Sequence, residues 1–342
     1  MTSIYALLLI ALGSIGAASF YIPFKGVKLW AWESYWIVQG IAAWLLAPWI
    51  FAWVTLPEGG LQKVLQNVPQ ESALYASFFG FLWGVGGLAF GLSIRYLGVA
   101  LGQSIALGLC AAFGTIIPPL VAGENLFASV PGLLIITGVS LCIAGIVAIG
   151  YAGALKNKGL PKEELVKQVT EFALKKGLLI AVLAGVMSAC FNFGFEAAKP
   201  IEELALSIGT NPLYAKNPSL IFILAGGFLF NAIYCGYLNI KNKTYTDYFS
   251  VQPKIFIQNI SLSFLAGLLW FLQFHFFGMG SSLLPESMGA YGWSILMALN
   301  IAISNLWGLA LGEWKGASKN TLLVLLMGVL LLVLSTFVVR FG

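Results

Sequence analysis

The stretch SACFNFGFEAAKPIEEL, residues 188–204, begins like the interior of a membrane helix and ends in charged residues. Glu196 and Lys199 directly follow an apolar run in which Asn192 is the single strongly polar side chain. The stretch GAASFYIPFKGVKLWAWE, residues 16–33, has nearly the same organisation when the chain is shifted by 171 positions. A hydrophobic span that ends in a polar cluster therefore occurs twice, which suggests an internal repeat.

The composition places most of the chain in lipid. Of its 342 residues, 59% are hydrophobic and 9% are charged, whereas an ordinary soluble domain has about 25% charged residues. A water-soluble fold of this length needs more polar cover than these residues provide. No segment alternates apolar and polar residues like a lipid-facing barrel strand. We therefore predict an all-α polytopic membrane protein.

Ten apolar stretches are long enough to cross the hydrocarbon core, which takes roughly 20 helical residues each. They lie at residues 3–23, 34–55, 73–94, 98–121, 131–153, 177–198, 218–239, 256–279, 290–311 and 320–340. The connection at 155–177 is long and rich in lysine, and its spacing suggests a short amphipathic surface helix.

The distribution of positive charge predicts the orientation. Lys and Arg accumulate in the cytoplasmic loops of membrane proteins, and fourteen of the eighteen in this chain follow odd-numbered spans. The odd connections are therefore expected in the cytoplasm, with both termini outside it. We expect a multi-pass protein of the cell (inner) membrane.

Three alignments of the chain with itself keep the same order. Offsets of 171, 187 and 189 superimpose span one on span six, span three on span eight, and the end of span four on the end of span nine. The matched pairs include Phe20 with Phe191, Phe24 with Phe195, Lys28 with Lys199, Trp83 with Trp270, Phe90 with Phe277, and Glu124 with Glu313. Because each half has five spans, the second copy must be inverted in the membrane. We predict a first five-helix repeat at 1–154, a cytoplasmic linker at 155–176 and an inverted repeat at 177–342, an architecture suited to alternating access.

Several long stretches resemble the L-rhamnose–proton symporter family of the drug/metabolite transporter superfamily. They are FYIPFKGVKLWAWESYW (20–36), LWGVGGLAFGLSIRYLG (82–98), AAKP (197–200), NPLYA (211–215), GLLWFLQF (267–274) and LGEW (311–314). The resemblance covers essentially the whole chain. It implies a ten-helix inverted repeat that imports L-rhamnose or a similar deoxysugar with a proton. Helices 1, 3, 4, 6, 8 and 9 would line the cavity.

A neutral sugar requires aromatic surface for its apolar face and polar partners for its hydroxyl groups. Polar side chains inside a membrane are costly unless they face protein or water, so those on the cavity helices are candidates. The expected substrate-binding residues are Tyr21, Trp83, Gln103, Asn192, Trp270, Gln273, His275 and Asn300. For the tryptophans the alternative is core packing, and for the amides it is a hydrogen bond between helices.

Proton coupling requires a group that gains and loses a proton during the cycle. The candidates are Glu196, Glu33 and His275, with Glu196 ranked first by position and Glu33 second by its family-like stretch. Glu196 and His275 depart from the family pattern, which has an uncharged amide and an aromatic residue there. The alternative for Glu196 is an interfacial ion pair with Lys199, three residues away.

Four charged residues near span ends are candidates for gate or ion-pair residues: Lys25, Arg95, Lys199 and Glu313. Arg95 has two interpretations, an ion pair with Glu313 across a closed inner gate or ordinary placement at the cytoplasmic surface.

Other function classes have less support. The chain lacks the G-x-x-x-x-G-K-[ST] motif that would indicate ATP drive, and no catalytic constellation indicates an enzyme. We expect no cofactor or metal apart from the proton, and no nucleic-acid partner. The expected partners are a sugar, the proton and the lipid bilayer; the oligomeric state stays open, and a monomer is compatible with the sequence. The alternatives are an exporter of amphipathic metabolites or drugs, and a membrane sensor or scaffold without transport.

Overall fold

The computed structural model describes residues 2–97, 99–121, 123, 125–158, 174–285, 289–310 and 314–338, and every regular element in these ranges is helical. The α-helices are α1 (Thr2–Ser19), α2 (Trp32–Gly40), α3 (Ala47–Thr55), α4 (Gly60–Asn67), α5 (Gln70–Leu97), α6 (Val99–Val121), α7 (Val130–Lys158), α8 (Leu174–Ala197), α9 (Lys199–Ser207), α10 (Asn217–Asn242), α11 (Asp247–Ser250), α12 (Pro253–Ser282), α13 (Gly289–Ala310) and α14 (Lys319–Val338). A π-helix occupies Ile41–Leu46, and short 3₁₀ helices occupy Pro23–Gly26, Pro212–Tyr214 and Thr244–Thr246.

Within these described ranges, eight helical segments are long and apolar enough to cross a bilayer. The other two predicted spans contain shorter apolar runs, Ile105–Gly114 in α6 and Lys319–Ser335 in α14. Each of the ten predicted spans thus coincides with a helix, and a polytopic all-helical membrane protein is confirmed. Ten crossings and the inverted repeat remain predictions. The surface helix expected within 155–177 falls largely on residues 159–173, which lie outside the described residues.

The helices form two compact units, each of which combines segments from both halves of the sequence. The first unit consists of Met1–Leu7, Val85–Asn192 and Leu284–Gly342, and the second of Leu8–Gly84 and Phe193–Leu283. In the first unit α7 packs along α14. A Cβ atom added to Gly145 would lie 2.8 Å from the carbonyl oxygen of Gly328, and one added to Gly328 would lie 2.9 Å from that of Gly145. These glycines therefore permit backbone-to-backbone packing, as small residues do between membrane helices.

In the second unit α12 packs against α2 and the π-helix, while α10 packs against α2 and α3. α12 and α2 approach each other closely at Gly267, where an added Cβ would lie 2.6 Å from the carbonyl oxygen of Gln39. Gly80 of α5 and Gly226 of α10 form a second close contact, because a Cβ on either would overlap backbone atoms of the other helix. This unit contains most of the candidate residues.

The second predicted span differs from a regular α-helix because of Pro48. Proline lacks an N–H, and its ring clashes with the carbonyl of the residue four positions earlier, which here is Trp44. The chain relieves this clash with the π-helix, in which Ala47 N–H donates to Ala42 five positions back. Pro23 has a related effect on the first span, since α1 ends at Ser19 and a 3₁₀ helix begins at Pro23. A π segment inside a helix frequently marks a functional site.

Candidate functional site

Three tryptophans from different helices meet in the second unit. The Trp44 ring centroid lies 5.9 Å from that of Trp83 on α5 and 5.5 Å from that of Trp270 on α12. Trp83 and Trp270 are 5.3 Å apart, and Phe274 lies 4.8 Å from Trp270. We call Trp44, Trp83, Trp270 and Phe274 the aromatic cluster. The π-helix places Trp44 in it, so the irregularity caused by Pro48 has a local consequence.

Polar atoms without protein partners accompany these rings. Within the described part of the chain, the Trp44 indole N–H, both side-chain amide atoms of Gln39 and the Ser263 hydroxyl are buried and make no hydrogen bond. Gln39 and Ser263 are fully buried, and Trp44 is 3% exposed. An unpaired buried polar group typically costs about 1–3 kcal/mol. The four atoms lie on α2, the π-helix and α12, and a polar ligand that reached them would supply the missing partners.

Gln273 and Trp270 were expected as neighbours on one cavity helix, and α12 places both of them in the interior. Gln273 is 4% exposed, and its Nε2 donates to the Trp270 carbonyl oxygen at 3.0 Å. One amide hydrogen is therefore used within the helix, and the side-chain carbonyl keeps its capacity to accept. The aromatic faces and the unpaired donors and acceptors fit a small neutral ligand that has both an apolar face and hydroxyl groups.

The other expected ligand residues lie elsewhere. Tyr21 packs against Phe20 and Trp36 in the second unit, at ring distances of 4.3 and 6.3 Å. In the first unit, Asn192 donates to the Gly114 carbonyl oxygen at 2.6 Å, which is the hydrogen bond between helices that was its alternative role. Asn300, also in the first unit, accepts a long hydrogen bond of 3.4 Å from Ser304.

Three candidates cannot be compared with the structure at the level of their side chains. Gln103 and Arg95 belong to α6 and α5, but their side chains lie outside the described residues, as does the whole of Glu313. The proposed Arg95–Glu313 ion pair therefore stays a prediction.

Glu196 and Lys199 form an ion pair near the surface of the second unit. Lys199 Nζ lies 2.6 Å from Glu196 Oε2, and the two side chains are 63% and 44% exposed respectively. Exposed ion pairs of this kind contribute only about 0–1 kcal/mol. Glu196 thus has a cationic partner and an exposed side chain. Lys25, a further gate candidate, is exposed.

Glu33 has a different environment, a buried hydrogen-bond network that connects the first turn of α2 with the end of α10 and the segment after it. Its side chain is 6% exposed and accepts hydrogen bonds from Asn242 Nδ2 and Thr244 Oγ1, both at 2.9 Å. Asp247 extends the network by accepting from Ser34 Oγ and Ala31 N–H, both at 2.7 Å.

Tyr248 completes this network by donating to the Ser34 carbonyl oxygen at 3.1 Å. Burial raises the pKa of the Tyr248 phenol, which keeps the hydroxyl protonated as a donor. The network ties the start of α2 to the loop after α10, so Glu33 is well suited to hold that end of the second unit together.

His275 lies on α12, one turn beyond Phe271, and is 6% exposed. Its Nδ1 atom is 3.0 Å from Asn217 Oδ1. Its ring is edge-on to Phe51 at 4.7 Å and parallel to Tyr214 at 6.0 Å. The second unit thus brings together the aromatic cluster, Gln273 and His275 on α12.

Trp44, Gln39 and Ser263 were not predicted from the sequence. Apolar periodicity cannot distinguish Trp44 from the other tryptophans of its span, and the unpaired state of Gln39 depends on packing between helices. Pro48 was the available signal, because a proline inside a membrane span predicts an irregular helix at the preceding turn.

Comparison with known proteins identifies the relatives of this chain. The family model described as L-rhamnose-proton symport protein (RhaT) matches residues 2–342. The L-rhamnose-proton symporters of Yersinia pestis (strain Pestoides F) and Yersinia pseudotuberculosis serotype O:1b (strain IP 31758) are each 36% identical over 334 residues. That alignment covers 96% of this chain and 95% of each relative. With a match across nearly its full length, the chain belongs to the L-rhamnose-proton symport protein family.

Proposed function

We propose that this protein imports L-rhamnose together with a proton across the cell membrane. The observation that carries the proposal is the aromatic cluster with its unpaired polar atoms, in a chain whose relatives are named L-rhamnose-proton symporters. The protein is a transporter rather than an enzyme, and it needs no cofactor beyond the proton as coupling ion.

L-Rhamnose matches the chemistry of this site. It is a 6-deoxy sugar, so it has a methyl group as well as hydroxyl groups. The indole rings of Trp44, Trp83 and Trp270 offer apolar faces for the methyl group and the C–H face of the ring. Trp44 N–H would donate to a sugar hydroxyl, whereas the Gln39 amide can both donate and accept. Sugar binding would satisfy atoms that are otherwise unpaired.

For the fold, we propose ten crossings arranged as two inverted five-helix repeats, as in the drug/metabolite transporter superfamily. The order of the self-alignments supports this, and so does the composition of the two compact units, each with segments from both halves. Two such repeats would allow alternating access, in which the site opens to one side of the membrane and then to the other.

We also propose that odd-numbered connections are cytoplasmic and that both termini are extracytoplasmic. The distribution of Lys and Arg supports this orientation. A single cysteine placed at position 165 of a cysteine-free variant should resist a membrane-impermeant maleimide in intact cells, whereas a tag after Gly342 should be accessible. Labelling of position 165 from outside would reverse the orientation.

Charged residues near the span ends would control access. We propose that Lys25 and an Arg95–Glu313 pair act at the cytoplasmic side, and that the Glu196–Lys199 pair acts at the opposite side. The residues that we propose to contribute to the sugar pathway are Tyr21, Gln103, Asn192 and Asn300.

Glu33 would stabilise the cytoplasmic end of the second unit through its hydrogen-bond network. Replacement of Glu33 by Gln tests this role, because a structural residue changes thermal stability whereas a proton carrier changes uphill uptake.

Counterflow in liposomes tests the proposed substrate without requiring a proton gradient. Vesicles preloaded with unlabelled L-rhamnose should transiently accumulate labelled L-rhamnose from outside. L-Mannose, which differs by one hydroxyl at C6, should compete more weakly, by up to about 100-fold, because that hydroxyl would be buried against the indole rings. Equal competition by both sugars would refute methyl recognition. Flux of amphipathic compounds without rhamnose exchange would favour an exporter.

A further inference from the structure

A chain of three polar side chains determines which nitrogen of His275 carries hydrogen. Thr55 Oγ1 lies 2.6 Å from the Phe51 carbonyl oxygen, and a carbonyl can only accept, so the hydroxyl hydrogen points there. Thr55 Oγ1 must then act as the acceptor toward Asn217 Nδ2, at 2.9 Å. With its NH₂ group on Thr55, Asn217 presents Oδ1 to His275.

Asn217 Oδ1 is also an acceptor, and it lies 3.0 Å from His275 Nδ1. The histidine must therefore donate, which places its hydrogen on Nδ1. In a neutral imidazole the other nitrogen, Nε2, has a free lone pair. Within the described ranges, no residue forms a hydrogen bond with Nε2, and the side chain retains 6% of its surface.

We infer that His275 is a proton-carrying group peculiar to this chain, since the family pattern has an aromatic residue at its position. Asn217 and Thr55 are positioning residues that make Nε2 the atom that takes up the proton. The inference rests on the proposed function and extends it. In the loaded state a proton from the extracytoplasmic side bonds to the Nε2 lone pair, and the imidazolium keeps its Nδ1–H hydrogen bond to Asn217. On the cytoplasmic side the N–H bond at Nε2 breaks, and the proton leaves to water.

One ring contact of His275 would favour its charged form. The Tyr214 ring is parallel to the imidazole with the two centroids 6.0 Å apart, and the face of an aromatic ring attracts cations within about 6 Å. Of the titratable groups on the neighbouring elements, Tyr214 is a ring contact of His275, and Lys216 precedes Asn217 in the chain, with its ammonium hydrogen-bonded to Ser281 Oγ at 2.8 Å. Tyr234, Cys235, Tyr237 and Lys241 lie further along α10. Glu196, in contrast, is held by Lys199 at an exposed position.

The inferred tautomer can be measured directly, because His275 is the only histidine of the chain. In ¹⁵N-histidine-labelled protein, NMR should show a protonated Nδ1 and an unprotonated Nε2 in the neutral state. Asn217→Leu should abolish this preference. A neutral ring protonated at Nε2 in the wild-type protein would refute the positioning role. This measurement does not depend on transport, so it separates the inference from the proposed function.

Transport by two variants tests proton carriage itself. His275→Phe, which restores an aromatic residue as in the family pattern, should retain rhamnose counterflow but change the pH dependence of accumulation driven by a pH gradient. Asn217→Asp should shift the pH dependence of uphill uptake to higher pH by about 1–3 units, because a carboxylate beside the ring favours the imidazolium. An unchanged pH dependence of uphill uptake in either His275→Phe or Asn217→Asp would overturn the inference. Absence of counterflow in the wild-type protein would instead refute the proposed substrate.

Discussion

Gly226→Ala is expected to destabilise the protein strongly, whereas Gly236→Ala on the same helix is expected to have little effect. A Cβ atom at position 226 would overlap the Ser77 carbonyl oxygen and lie 2.8 Å from the Phe81 backbone nitrogen. Both obstacles belong to the α5 backbone, which cannot change rotamer to relieve the clash. Overpacking a well-packed interface typically costs about 1–3 kcal/mol, occasionally more.

Gly236 is the matched control because, among the described residues beyond its own turn of helix, no atom lies within 4 Å of the Cβ that alanine would add there. Alanine also has the higher helix propensity, by about 1 kcal/mol. Thermal unfolding of the purified variants in detergent would compare them. Equal melting temperatures for the two variants would show that α5 and α10 are not in backbone contact at Gly226.

Trp44→Phe is expected to weaken L-rhamnose binding by roughly 5- to 150-fold, which corresponds to about 1–3 kcal/mol. Phenylalanine keeps an aromatic ring in the cluster but removes the indole N–H, which has no partner among the described residues. The sugar hydroxyl that this N–H would bind then stays unpaired. Isothermal titration calorimetry of detergent-solubilised protein measures the change.

The control for this variant is Trp53→Phe, nine residues further along the same span. Trp53 is 72% exposed and lies outside the aromatic cluster, so its replacement should leave the affinity unchanged. If Trp44→Phe binds L-rhamnose like the wild-type protein, the cluster is a packing feature and the sugar site is elsewhere.

The helical architecture could be predicted because it depends on local properties. Hydrophobic runs and their lengths give the helices to within a few residues, as for residues 131–153 and α7 (Val130–Lys158). The interior of a span was less predictable. The π-helix at Ile41–Leu46 results from a clash between Pro48 and the Trp44 carbonyl, and hydropathy does not register such a clash.

The candidate site was predicted in part. Trp83 and Trp270 were identified by their correspondence in the self-alignment, and the structure places their rings 5.3 Å apart. Trp44 and Gln39 were not predicted because the property that distinguishes them is the lack of a hydrogen-bond partner for their buried polar atoms among the described residues. A sequence shows which groups can form hydrogen bonds, but the packing of several helices determines which groups remain unpaired.

The same limit applies to the ranking of proton carriers. Position in the sequence favoured Glu196, yet the side chain is 44% exposed and paired with Lys199. His275 is 6% exposed, and its hydrogen-bond partner Asn217 is 58 positions away in the sequence. No local pattern could reveal that pairing.

Proton symport requires that L-rhamnose moves protons across the membrane with it. Liposomes that contain the protein and an internal pH indicator would receive L-rhamnose outside, with no initial pH gradient and with valinomycin and potassium to prevent charge build-up. We expect prompt internal acidification that depends on the sugar concentration and is absent from protein-free liposomes. Rhamnose uptake without any change in internal pH would contradict proton symport.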